Sequence, residues 1–153
     1  MQAISTNHGA DVLVTADQGE PLLVVEVKRR HFNQTARQQI AAYAKGVGAK
    51  FVMYLDPKQI LVAPTRDGTP EWERAITLPT ESILSHYTDV PDLERIEKFY
   101  LESLTEAWLR DFSFSWKHQR PPGYDELERI GLASKLRDTE THTNRQVEFA
   151  TLP

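Results

Sequence analysis

Glu26 is a carboxylate set inside an apolar run, Leu22-Leu23-Val24-Val25-Glu26-Val27, and Lys28 follows it two positions later. Alternate side chains of a strand share a face, so this acid and this ammonium point the same way. Val24 lies on their face and Val25 and Val27 on the other, so both faces read as covered. A charge in such a place costs several kcal/mol, roughly, unless it is paired or holds a metal. A second apolar stretch, Ala10-Asp11-Val12-Leu13-Val14, comes before it, and the turn formers of Thr15 to Pro21 join the two as a β-hairpin. The hairpin brings Asp11 beside Glu26. Two carboxylates at the ends of neighbouring strands make a hard-oxygen site suited to Mg²⁺ or Mn²⁺, and the backbone carbonyl of Val27 could complete it. Lys28 would stabilise charge on a phosphoryl group or help position a water. A polarised phosphoryl oxygen, an activated water and a cation for the anionic transition state are what phosphodiester hydrolysis needs. Arg29, Arg30 and Lys45 are candidates to hold flanking phosphates.

The elements that must position these groups follow in order. Strands are expected over Ala10 to Val14 and Leu22 to Lys28. A helix is expected over Gln34 to Gly46, capped by Asn33, with Ile40, Tyr43, Ala44 and Val47 at helical spacing and Gly46 and Gly48 as stops. Lys50 to Leu55 reads as a third strand, and a strand-helix-strand order predicts a parallel crossover. Gln59 to Ala63 reads as a fourth strand, hairpinned to the third across Asp56-Pro57-Lys58, and Pro64 to Pro70 as a loop. A short strand is expected near Arg74 to Leu78 and a short helix from Pro79. A long amphipathic helix opening at Asp89 and Pro91 would carry Leu93, Ile96, Tyr100, Leu104, Trp108 and Phe112, with Tyr100, Trp108 and Phe112 in the core. Asp125 to Leu136 is a last helix, and the polar residues after it read as a frayed tail.

With the elements in place, the acidic and basic residues resemble the PD-(D/E)XK signature of restriction-endonuclease-like nucleases. Asp11…Glu26-Val27-Lys28 is similar to the catalytic motif, and Gln39-Ile40-Ala41-Ala42-Tyr43 resembles the Q-x-x-x-Y motif of the branch related to RecB and type I restriction nuclease domains. The resemblance covers about residues 10–63. It implies an α/β fold with a mixed central sheet flanked by helices, an α-helical C-terminal extension, and Mg²⁺-dependent cleavage of DNA, with RNA as the alternative nucleic acid. Asp11 and Glu26 would be metal ligands, Lys28 the catalytic lysine and Gln39 a residue orienting the site. Tyr43 would face the site and the nucleic acid, or pack. Ala10 stands where the family has proline. Many relatives bring a further glutamate on an N-terminal helix; the ten residues before Asp11 contain no acid, so that acid is expected from elsewhere or not at all. A catalytically inactive module for nucleic-acid binding or protein assembly is the alternative reading.

Bulk properties bound the rest. The chain of 153 residues predicts a nuclease-like core over 1–78, a helical extension over 79–137 and a flexible tail over 138–153. With no cysteine, disulfides and thiolate metal sites are excluded. No apolar run approaches the ~20 residues of a membrane span, and the N-terminus lacks a secretory pattern, so a cytoplasmic place without membrane contact is expected. The net charge of −4 argues against nonspecific nucleic-acid binding, but it is unevenly spread. Residues 1–64 carry seven Lys and Arg against five Asp and Glu, while residues 65–153 carry eleven against seventeen. The basic part surrounds the candidate site. The acidic, amphipathic C-terminal helices are a candidate surface for a homodimer or a partner protein. The five histidines are scattered without metal-ligand spacing, and Trp116-Lys117-His118-Gln119-Arg120 mixes aromatic and basic residues that could touch nucleic acid.

Overall fold

The computed structural model describes residues 10–114 and 119–143. Its centre is β2 (Pro21–Val27), whose six residues after Pro21 are all buried. β1 (Val12–Thr15) pairs with it antiparallel, with Val12 opposite Val25 and Val14 opposite Leu23. α1 (Gln34–Val47) then crosses over, and β3 (Phe51–Leu55) returns parallel to β2, with Val24 opposite Val52 and Glu26 opposite Tyr54. The expected crossover therefore forms. Asn33 caps α1 by accepting the Ala36 N–H at 2.8 Å, and Gly48, at φ +75°, ends it in the left-handed conformation that glycine tolerates. Gly46 lies inside the helix rather than stopping it.

β4 (Gln59–Arg66) pairs antiparallel with β3 and runs three residues further than the apolar pattern suggests. Asp67 and Gly68, both at positive φ, turn it into β5 (Thr69–Pro70), so the expected loop is a tight hairpin. β6 (Ile76–Pro79) also pairs with β4. The sheet has seven strands in the order β5-β4-β3-β2-β1-β7, with β6 on β4. β7 (Glu140–Thr143) is the strand that sequence patterning assigned to the tail; it pairs antiparallel with β1, and Thr141 and Thr143 are buried.

The architecture is thus α/β, a mixed sheet with helices on both faces. α1 covers one face through Ile40, Tyr43 and Ala44, packed with Val24, Val52 and Ala63. The other face carries Val12, Val25, Met53 and Ile60 and is covered by α2 (Thr80–Leu84), α3 (Lys98–Ser113) and α4 (Tyr124–Arg129). The described C-terminal helices and the strands share this larger core, so the helical segment packs directly on the sheet. The long helix starts at Lys98, not near Asp89; Leu93–Arg95 forms a separate 3-10 turn. Its buried residues are Leu101, Glu102, Leu104, Thr105, Trp108, Leu109 and Phe112, and Tyr100 is 38% exposed. Steps of four residues overshoot a turn by about 40° each, so three such steps back from Phe112 carry Tyr100 about 120° around the helix from it, past the edge of the buried face at Leu104. The last expected helix stops at Arg129, and Gly131, at φ +82°, divides it from a 3-10 turn over Ala133–Leu136. Among the described residues no helix is long and apolar enough to cross a membrane.

Candidate functional site

Glu26 is the next-to-last residue of β2 and points to the α1 side of the sheet, as Val24 does. It is 3% exposed, and its Oε1 has no hydrogen-bond partner. Its Oε2 lies 3.5 Å from Lys28 Nζ, so the sequence-adjacent acid and ammonium do meet. Burial, then the charge of Asp11, push the Glu26 carboxyl up to about 7 against the pull of Lys28 and Lys98. Asp11 sits one step beyond the Val12–Val25 pair, at the end of β1 beside Glu26. Its N–H donates to the Val25 carbonyl at 2.9 Å, and its Oδ2 accepts the Val27 N–H at 2.8 Å. Val27 therefore meets Asp11 through its amide, and that bond fixes the Asp11 carboxylate against the strand end.

The second oxygen of Asp11 has a partner that local patterning missed. Lys98, the first residue of α3, donates from Nζ to Asp11 Oδ1 at 2.9 Å and lies 3.6 Å from Glu102 Oε2 one turn on. Burial works against the Lys98 ammonium, but the hydrogen bond and charge of Asp11, with Glu102 and Glu26 beyond, outweigh it and hold its pKa above the usual lysine value. Glu102 is itself buried. Through Lys98 a C-terminal helix thus reaches the Asp11 end of the strands, and Glu102 pairs with that lysine. The signal in the sequence was Lys98 and Glu102 at i,i+4.

Asp56 follows β3 at the same end of the sheet and is 1% exposed. Its Oδ1 accepts the Lys58 and Gln59 N–H groups at 2.7 and 2.9 Å. Its Oδ2 has no hydrogen-bond partner and lies 4.0 Å from His31 Nδ1. Tyr54, opposite Glu26, donates to the Arg30 carbonyl at 2.7 Å, and burial, then Asp56 and Glu26, push its hydroxyl up to about 12. Phe32 packs edge-on against Tyr54 at 4.8 Å and beside Trp72 at 5.3 Å, and the Arg37 guanidinium stands 5.1 Å from the Trp72 ring.

The remaining expected residues divide. Arg29 and Arg30 are exposed beyond the strand end, and Arg29 donates to the Glu94 carbonyl at 2.9 Å. Gln39 is exposed on α1 and makes no hydrogen bond to Asp11, Glu26 or Lys28. Tyr43 is buried between α1 and the sheet, and burial raises its hydroxyl pKa; it packs, with little ring left for nucleic acid. Lys45 does not join the site. It occupies the last turn of α1, about 16 Å along the helix from Gln34, and reaches Thr69 at the opposite end of the sheet. Residues 115–118, most of the aromatic and basic stretch before Arg120, lie outside the described residues.

Among the described residues no group of three or more His, Asp and Glu side chains is placed to hold a metal. The donors that are present still suit Mg²⁺, which takes one or two protein carboxylates and fills its octahedron with water and substrate phosphate. Asp11 and Glu26 are such a pair, and the orphaned Oε1 of Glu26 is an oxygen that a cation would satisfy. Comparison of the chain with protein-family profiles, with curated proteins and with solved structures finds no match.

Proposed function

We propose that the protein is a Mg²⁺- or Mn²⁺-dependent nuclease that hydrolyses phosphodiester bonds of DNA. The observation that carries this reading is Glu26. A carboxylate is buried at the end of the central strand with one oxygen unpartnered, beside a second acid, while two lysines face the pair. A fold keeps so costly an arrangement where chemistry uses it. Asp11 and Glu26 would hold the cation, which on binding polarises a phosphoryl oxygen and acidifies a water. Lys28, tethered to Glu26 but 38% exposed at its side chain, reaches outward to steady the phosphate charge. Arg29 and Arg30 continue the basic rim along the backbone path.

Cleavage of single-stranded, duplex and branched DNA with Mg²⁺ or Mn²⁺ tests the proposal, with Glu26→Gln and Lys28→Ala as controls. Divalent-dependent cleavage by the wild type, lost at least a hundredfold in both variants, is expected. No cleavage by the wild type, or equal cleavage by the variants, defeats it.

A second reading has its own support: the Lys98–Asp11 ion pair already balances one of the two acids. A non-catalytic module that keeps the fold would use that pair structurally. Calorimetry separates the two readings, because such a module takes up no Mg²⁺ or Mn²⁺ at millimolar concentration.

A further inference from the structure

We propose that Lys98 is a further residue of the site, an internal counter-ion standing where the divalent cation binds Asp11, and that cation entry displaces its ammonium. The inference rests on the nuclease reading, since it uses the same carboxylates.

Asp11 has two oxygens. Oδ2 is committed to the Val27 N–H, a bond that holds the strand end together. Oδ1 is the one a cation can take, and Lys98 Nζ sits on it at 2.9 Å. An ammonium at that distance and a divalent ion bonded to the same oxygen at about 2.1 Å would be like charges in near contact, so they exclude one another.

The position of Lys98 serves this pairing rather than its helix. It is the first residue of α3, where the helix dipole disfavours a cation, and the preceding Glu97 makes no side-chain capping bond. The contact joins residues 87 apart in the chain. The segment before α3 is pinned to the strand end by Arg29, which donates to the Glu94 carbonyl at 2.9 Å. The helix start is thereby held over the acids while the lysine side chain remains 40% exposed and able to move. Glu102 supplies a second holder 3.6 Å from the ammonium, so Lys98 leaves Asp11 by a change of rotamer without losing its ionic partner. Lys28 on Glu26 mirrors the arrangement at 3.5 Å. In the cation-free site each of the two strand-end carboxylates faces a lysine, and metal binding is an exchange of cations.

The test is Mn²⁺ binding by calorimetry on the full chain, comparing the wild type with Lys98→Met and Lys98→Gln, each checked for a cooperative melt. Both variants should bind Mn²⁺ at least tenfold more tightly than the wild type. Equal or weaker binding by the folded variants overturns the role of Lys98 and leaves the nuclease reading standing. Absence of Mn²⁺ binding in all three proteins overturns both. A measurement on the wild type alone covers the case in which the variants fail to fold: the NMR signal of ¹³C-methylated Lys98 should move as Mg²⁺ is added, and a stationary signal at saturating Mg²⁺ overturns the exchange.

Discussion

Replacing Glu26 by glutamine should stabilise the protein, and the gain should depend on pH in a defined way. The Glu26 carboxyl is raised from 4.5 to about 7 by burial first and by Asp11 second. Every tenfold change in proton affinity is worth about 1.4 kcal/mol, so the ionised folded site carries a penalty of about 3 kcal/mol. The residue is 3% exposed, so solvent screening removes little of it. Below pH 4.5 the group is protonated in both states and adds nothing. Between 4.5 and 7 the unfolded chain releases its proton while the folded protein keeps it, so stability falls as pH rises through this window. Above about 7 the full penalty persists. Glutamine cannot ionise. Urea melts should therefore show Glu26→Gln and wild type nearly equal at pH 4, and the variant more stable by about 3 kcal/mol at pH 8. Millimolar Mg²⁺ should recover much of the deficit in the wild type alone, about 2.7 kcal/mol at a hundred times the dissociation constant. A difference that does not change with pH, or a variant weaker than wild type at pH 8, would refute the burial argument.

Asp11→Ala should lower stability by about 2 kcal/mol at pH 5, because it orphans the buried Val27 N–H and frees Lys98; Asp11→Asn keeps an acceptor and should lose less than half of that, read by the same melts. Trp108→Ala should cost about 3–5 kcal/mol, since the ring is fully buried and its Nε1 donates to the Pro122 carbonyl at 2.8 Å. Residues 1–78 expressed alone should show no cooperative thermal transition, because the larger face of the sheet would be bare; a sharp calorimetric transition would contradict the single shared core. Gly123→Ala should destabilise by about 1 kcal/mol or more, because φ is +79° and the new Cβ would stand 3.0 Å from Ile83 Cδ1.

Which parts of this structure the sequence disclosed follows from how local each determinant is. β2, α1 and β3 are legible because apolar period, the Asn33 cap and the Gly48 stop all lie within their own segments. β7 is not, because Glu140-Thr141-His142-Thr143 has no apolar alternation; it becomes a strand by taking the open edge of β1, where its backbone finds partners and Thr15 Oγ1 lies 3.1 Å from His142 Nε2. Lys45 read as part of the basic rim because it is close in sequence, but a helix of 14 residues carries its last turn to the far end of the sheet.

The site divides along the same line. Glu26 announces itself because the conflict is local, a charge among Leu22, Leu23, Val24, Val25 and Val27. What offsets that charge is only partly local. Lys28 is two residues away, but Lys98 and Glu102 arrive from a helix some seventy residues further along the chain, and a lysine and a glutamate one turn apart on a helix look like a solvated pair. A carboxylate out of place in a strand tells that partners must exist somewhere. Which partners they are is decided by the packing of α3 over the sheet, and so the identity of the cation that Asp11 holds, lysine or metal, is a question that only tertiary structure poses.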